Sequence, residues 1–403
     1  MRVDSLAGRR GGRPYLLKYP PSEAPHFTIE TNKSCNIRCR NCFSEHGTLV
    51  KSRADILGEV RLALSLRKAG SVTLLGGEPT LHPDLPGIVA DIKRLGLRVQ
   101  ILTNGVKLLE PDGDELLDRL AEAGVDRILV HMDEGQAHVH ADLSRARRAV
   151  FDKIEKRGIR FGLSLTITPD TQALLPAAAR AFSGYRFFDS ILAVLARDPE
   201  RPESREAVLE PEYESLRREF GILPAACLPS QIDDGDVRWL IYSVITNRRT
   251  GRAAGLSPRL FRAAALLYRA VFRRRLYVPY LNPRTAAAAA MLFLLPRLRP
   301  GRHSRRVPAG FYRGSEFGRS LGLMHIVIQT PPQFRDGDGA YVLCHSCPDA
   351  VMRNGKLTPL CIADRISPLS RRYRAEDPRD GIRAAAAFAH LNPGRGEAGT
   401  FSR

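Results

Sequence analysis

From His26 to about residue 220 the chain alternates strand-like and helix-like patterns, the mark of successive β-α units that build a parallel sheet. Candidate strands are Phe27 to Thr31, Val72 to Leu75, Val99 to Leu102, Arg127 to His131, Arg160 to Ile167 and Phe187 to Leu195. Helical patterns lie between them. In Ala54 to Ala69 the residues Ile56, Val60 and Leu64 share one face at four-residue spacing, and Glu115 to Ala123 carries Leu116, Leu117 and Leu120. The expected fold class is α/β: an incomplete (β/α)6 barrel, with its chemistry at the carboxyl ends of the strands, where barrel loops gather. A chain of 403 residues with 43% hydrophobic content can bury the core this requires.

After Glu210 the pattern changes. A short charged helix is expected over Pro211 to Phe220, followed by a lone Cys227 and then a segment dominated by arginine. No acidic residue occurs between Asp236 and Glu316, while 17 of the 62 basic residues do, so nearly all of the net charge of +19 sits in this one stretch. A smaller strand-rich region follows, with a strand at His325 to Gln329 and a hairpin from Val351 to Leu360 turned at Asn354-Gly355, a pair that tolerates positive φ. The expected divisions are an N-terminal extension (1–25), the partial barrel (26–220), a basic helical insertion (221–316), a small C-terminal domain (317–370) and a tail (371–403) with a helix near Ile382 to His390.

Seven cysteines, six of them in two tight groups, suit metal ligation in a reducing cytoplasm rather than a disulfide scaffold. Met1 to Pro25 has no apolar run of signal-peptide length, and the longest apolar stretch, Ala286 to Leu295, is too short to span a bilayer. A soluble or peripheral cytoplasmic protein is expected.

The first cysteine group is Cys35-x3-Cys39-x2-Cys42, directly after the first strand. Three thiolates on one loop can hold three irons of a [4Fe-4S] cluster and leave the fourth open; zinc, with His46 as a further donor, is the alternative on the loop alone. The second strand ends in Gly76-Gly77-Glu78-Pro79 and the third in Thr103-Asn104-Gly105. Glycine allows close approach to a ligand, Glu78 can accept from an amino group, and Asn104 can bond a ribose hydroxyl. Singly these are turn residues; jointly they share one rim with the cysteine loop.

Together these motifs resemble the radical S-adenosylmethionine (SAM) superfamily, over roughly Phe27 to Leu195. The resemblance implies that Cys35, Cys39 and Cys42 hold a [4Fe-4S] cluster whose open iron is chelated by the methionine moiety of SAM. Gly76, Gly77, Glu78 and Pro79 would bond its amino group, and Thr103 and Asn104 would approach the ribose. His131 and Asp133, with Ser164 and Thr166, are further candidates for ribose, carboxylate or substrate contacts, the alternative being polar groups satisfied at strand ends. The residue before the third cysteine is often aromatic in this family; here it is Asn41, with Phe43 directly after the cysteine.

The second group, Cys344-x2-Cys347-x13-Cys361, spans the Asn354-Gly355 hairpin. Zinc is again an alternative. Its spacing resembles the twitch domain, related to SPASM, which implies a second [4Fe-4S] cluster, with Cys227 as an ambiguous fourth ligand. The same interval occurs in the GTP cyclase of molybdenum-cofactor biosynthesis, whose glycine-rich tail is not matched by "GRGEAGTFSR".

The implied function is radical SAM catalysis: an electron from flavodoxin or ferredoxin, SAM cleavage to a 5′-deoxyadenosyl radical, and hydrogen abstraction from a substrate that is lipid-like or anionic. A peptide-modifying maturase is one alternative. A non-catalytic iron-sulfur or zinc protein that binds nucleic acid is another, marked by steep salt dependence. Ser257 to Arg306 holds 12 arginines and no acid, and Ser257-Pro258 is a helix start. Its apolar and basic residues suit an anionic membrane surface, an anionic substrate or a packing helix whose arginine stems cover the core.

Overall fold

The computed structural model describes residues 1–7, 13–39, 42, 44–171, 174–196, 209–250, 252–276, 321–335, 339–367 and 369. Six strands follow one another in chain order and pair in parallel: β1 (His26–Glu30), β2 (Ser71–Leu75), β3 (Arg98–Thr103), β4 (Arg127–His131), β5 (Arg160–Ile167) and β6 (Phe188–Leu195). Helices Arg53–Leu66, Leu85–Arg94, Gly113–Glu122, Leu143–Lys156 and Leu174–Phe182 make the crossovers. The six expected strands are present, with ends that differ by one residue at most.

Side chains alternate across each strand, and the alternation separates two environments. Phe27, Ile29, Val72, Leu74, Val99, Ile101, Ile128, Val130, Phe161 and Leu163 join Ile56, Val60, Ile88, Leu117 and Phe151 of the helices in one apolar core. The other face buries His26, Thr28, Glu30, Ser71, Thr73, Gln100, Arg127 and Ser164. Buried polar groups need partners. Thr73 Oγ1 meets both His26 Nε2 and Gln100 Nε2 at 3.0 Å, and Arg127 pairs with Asp189 at 2.6 Å.

The sheet continues beyond both edges of this unit. On the β6 side follow Leu321–Gln329 (parallel), Val237–Asn247 and Ala226–Pro229 (antiparallel), and Tyr15–Leu16 (parallel). On the β1 side lies the hairpin Ala350–Arg353 and Lys356–Pro359, joined through Val351 opposite Thr28. Among the described residues the two ends are not hydrogen-bonded into a ring, so the barrel is partial, as expected. Asn354 and Gly355 turn the hairpin with φ of 48° and 75°.

Two parts of the sequence reading change here. The stretch read as a basic insertion contains, at Val237–Asn247, a strand buried at all eleven positions. Its β-branched and aromatic run was obscured by the arginine excess around it. The C-terminal strands, expected as a small separate domain, share hydrogen bonding with the barrel sheet at both of its edges.

Helix Pro258–Phe272 starts as expected, with the Ser257 hydroxyl accepting from Leu260 N–H. Phe261 is buried beside Tyr15, and the Tyr268 hydroxyl accepts from Arg98 Nη2 at 3.3 Å. Just after the helix, Arg275 pairs with Glu23 at 2.7 Å. Glu23 precedes β1 and Arg98 opens β3, so this helix lies at the amino ends of the strands, away from the cysteine loop. Its outer face leaves Leu266, Leu267, Val271 and Phe272 between 41% and 62% exposed. Among the described residues no helix is long and apolar enough to cross a membrane. Asn41, Phe43, the run Ala286 to Leu295, the arginines from Arg284 to Arg313 and the tail with its expected helix lie outside the described residues.

Candidate active site

The Cys35 loop leaves the carboxyl end of β1 and is tied at its base. Lys33 N–H donates to Leu49 O (2.7 Å), Lys51 N–H to Thr31 O (3.0 Å), and Asn32 bridges Val50. The chain therefore leaves and returns at one place. Burial is the largest influence on the Cys35 thiol and raises it, with Glu78 and Cys42 adding. Cys39 is pushed up to about 12, first by burial and then by Cys42, Asp133 and Cys35.

The three thiols therefore share one electrostatic environment, whose other members, Glu78 and Asp133, are acidic. Thiolates require positive charge nearby, and bound iron would supply it. Three cysteine thiols from one loop are the donor type by which a chain can hold three irons of a [4Fe-4S] cluster, whereas a structural zinc takes four protein ligands. The donor set fits the cluster.

The Gly76-Gly77-Glu78-Pro79 turn packs directly on this loop. Gly77 N–H donates to Asn32 O and Glu78 N–H to Ser34 O, both at 2.8 Å, and Asn32 Nδ2 donates to Glu78 O at 2.9 Å. A Cβ at Gly76 would strike Asn32 O, and one at Gly77 would strike Ser34 O. The close approach that the glycines permit is thus to the cysteine loop itself.

Glu78 is buried, and its carboxylate turns inward. Oε1 accepts from Thr80 N–H (3.0 Å), Thr80 Oγ1 (2.5 Å) and Thr103 Oγ1 (2.7 Å), and Oε2 accepts from Asn104 N–H (2.7 Å). It joins the ends of β2 and β3. Asn104 Nδ2 reaches the loop, donating to Asn36 Oδ1 at 2.8 Å and lying 3.7 Å from Cys35 Sγ. The amino-group and ribose contacts expected of Glu78, Thr103 and Asn104 thus fall on residues that the structure uses to assemble the rim.

His131 and Asp133 continue the rim at the end of β4. His131 Nδ1 lies 3.2 Å from Ser164 Oγ and Nε2 lies 3.3 Å from Asp133 Oδ2, while Asp133 accepts from Thr166 N–H at 2.8 Å. All four expected residues come together. Gln136, which the sequence reading passed over, is fully buried; it donates to His131 O at 2.6 Å and lies against the Cys39 thiol. Asn32 was also missed. No local pattern marks either one, because the groups they serve, Cys39 for Gln136 and the Glu78 carbonyl for Asn32, lie far from them in the sequence.

The second cysteine group spans the gap between the sheet's two ends. Cys344 bridges Ser230 and His345 N–H donates to Pro229 O on one side; on the other, Arg67 Nη1 donates to Cys347 O (3.1 Å) and to His26 O (2.7 Å). The Cys347 thiol is raised, first by its bond with Cys344 and then by burial, with Cys361 and Asp349 adding. Cys361 lies in the first turn of helix Leu360–Ile366, and although part of the residue faces solvent, desolvation and then Cys344 push its thiol up to about 12. Each of these thiols thus lies within electrostatic reach of the others. Cys227 does not join them: it lies in the apolar core, and burial alone raises its thiol to about 12.

A cysteine loop at the carboxyl end of the first of six consecutive parallel β/α units is the arrangement of radical SAM proteins. Residues 29–171 match the family model described as "Radical SAM superfamily", and this part of the chain is a radical SAM domain, a family that implies a [4Fe-4S] cluster and SAM. Within that class the chain is similar to "Molybdenum cofactor biosynthesis protein 1" of Bos taurus, 36% identical over 115 residues, which is 27% of this chain and 17% of that protein. It is also similar to "Fe-coproporphyrin III synthase" of Methanosarcina barkeri, 28% identical over 174 residues, 40% of this chain and 42% of that one. The chain thus spans less than half the length of these relatives. Among solved structures it is similar to Streptococcus suis SuiB bound to precursor peptide SuiA, with a TM-score of 0.36 and 17% identity over 43% of this chain and 39% of that one, a likeness too slight to carry an argument.

Proposed function

We propose that this chain reductively cleaves SAM and uses the product to remove a hydrogen atom from a carbon of its substrate. The observation that carries this reading is the Cys35–Cys42 loop, held against the Gly76-Gly77 turn and Asn104 at the carboxyl ends of β1, β2 and β3. Cys35, Cys39 and Cys42 would hold the [4Fe-4S] cluster. Backbone groups of Gly76 to Pro79 would face the methionine amino group, while Asn104, His131, Asp133, Ser164 and Thr166 would line the ribose and carboxylate. Glu78 and Thr103 act from behind, fixing the strand ends. When bound, the reduced cluster and SAM supply a 5′-deoxyadenosyl radical, and the protein's part is orientation and exclusion of competing reactions.

Flavodoxin or ferredoxin would be the electron donor. Cys344, Cys347 and Cys361 would hold a second [4Fe-4S] cluster, a reading supported by the bond between the Cys344 and Cys347 thiols and by the mutual electrostatic influence of all three. A separate observation favours attachment to an anionic membrane surface: helix Pro258–Phe272 exposes four large apolar side chains beside Arg262 and Arg269. An exposed basic and apolar face of this kind suits an interfacial helix.

Anaerobic reconstitution, reduction with dithionite and detection of 5′-deoxyadenosine test the reaction. The unaltered protein should form 5′-deoxyadenosine and carry about eight irons, as two four-iron clusters require. Cys35→Ala should form none, and changing Cys344, Cys347 and Cys361 together should halve the iron. Full 5′-deoxyadenosine formation by Cys35→Ala would sink the proposal.

A further inference from the structure

Beneath the cysteine loop lies a buried set of four charges. Lys33 Nζ is 2.6 Å from Glu30 Oε1 and 2.6 Å from Asp364 Oδ2. Arg353 Nη2 is 2.9 Å from Asp364 Oδ1 and also pairs with Glu30 Oε2. Two cations and two carboxylates cancel, which is the condition under which such burial is tolerated.

Asp364 has further bonds that a purely structural pair would not need. Its Oδ2 also accepts from Glu45 N–H at 2.9 Å and from Ser44 Oγ at 3.4 Å, and Ser44 Oγ in turn accepts from Lys33 Nζ at 3.1 Å. Lys33 stands two residues before Cys35, and Ser44 two residues after Cys42. One carboxylate from the far end of the chain therefore grips both ends of the loop that carries the first cysteine group.

The same carboxylate is linked to the second group. Asp364 lies one helical turn after Cys361 in helix Leu360–Ile366, so the two share a face. Arg353, from the hairpin between Cys347 and Cys361, holds both Asp364 and, at 3.0 Å, the Ser367 carbonyl at the helix end.

We propose that Asp364 is a positioning residue that couples the two cysteine groups. Ligation at Cys344, Cys347 and Cys361 fixes the first turn of the helix; that turn fixes Asp364; and Asp364 holds the Cys35–Cys42 loop in the geometry its own ligation needs. The inference rests on reading the two groups as iron-sulfur sites, but its first test does not.

In the metal-free full-length protein, alkylation by iodoacetamide is followed residue by residue by mass spectrometry. Asp364→Asn should raise the rates at Cys39 and Cys42 by about fivefold, as expected when a locally opening segment loses an anchor. Cys227, buried in the core, should stay as slow as in the unaltered protein, and Asp364→Glu, which keeps the charge, should return the rates toward the original. After reconstitution, Asp364→Asn and Cys361→Ser should each speed loss of the first cluster to a chelator by about fivefold, by the same local opening. Unchanged rates at Cys39 and Cys42 overturn the proposal. An equal rise at Cys227 overturns it as well, because that reports loosening of the whole core. Failure of the unaltered protein to take up iron would instead sink the iron-sulfur reading, with the alkylation result still deciding what Asp364 does.

Discussion

Gly76 and Gly77 sit where a side chain has nowhere to go. The atoms in the way, Asn32 O and Ser34 O, are backbone atoms of the cysteine loop and cannot swing aside as a flexible side chain would. Gly77→Ala must therefore push the loop off the turn, breaking the bonds from Gly77 N–H and Glu78 N–H. Overpacking of this kind costs about 1–3 kcal/mol. The expected outcome is a loss of that size in urea denaturation of the metal-free protein and a fall in iron after reconstitution. An alanine variant with unaltered stability and iron content would show that the loop is held elsewhere.

Among the elements, helix Pro258–Phe272 is distinguished by what its outer face lacks. Phe261 anchors one side, while Leu266, Leu267, Val271 and Phe272 remain uncovered among the described residues. Each arginine near an anionic lipid surface contributes about 1 kcal/mol, and the apolar face adds to it. The protein is expected to sediment with anionic liposomes and not with neutral ones, and the four apolar residues changed together to serine should release it. Binding to nucleic acid with no response to either liposome would remove the membrane reading. Because the helix lies at the amino ends of β1 and β3, such attachment leaves the cysteine-bearing rim free.

At the scale of the whole molecule, the polar inner face of the sheet makes stability depend on pH. Burial first, then Arg127 and Arg160, lowers His325 to about 3, and burial with Arg67 lowers His26. In the unfolded chain both take up a proton near the ordinary histidine value of 6.5. Their stabilisation is therefore fully present above that value and is lost as pH falls from it toward the folded values. Each group contributes a slope of about 1.4 kcal/mol per pH unit within that window. Denaturant unfolding at about pH 7 and about pH 5 should show the loss, and His325→Gln should remove roughly half of the slope that the two histidines produce. An unchanged slope in that variant would place the sensitivity in other groups.

The order of the six parallel strands, the position of the cysteine loop and the glycine turn at the ends of β1 and β2, and the Asn354-Gly355 hairpin were determined by the sequence itself. Periods of two and of 3.6 residues, and the backbone freedom of glycine and asparagine, act within a few neighbours and so can be read locally. The tertiary structure alone decided that Val237–Asn247 is a central strand, that the Glu78 carboxylate turns inward to Thr80, Thr103 and Asn104, and that Asp364 grips the loop of Lys33 and Ser44. Lys33 and Asp364 lie 331 residues apart. No local pattern encodes such a pair; it exists only because the hairpin Ala350–Pro359 and helix Leu360–Ile366 pack along the edge of β1, where burial makes each charge require its partner.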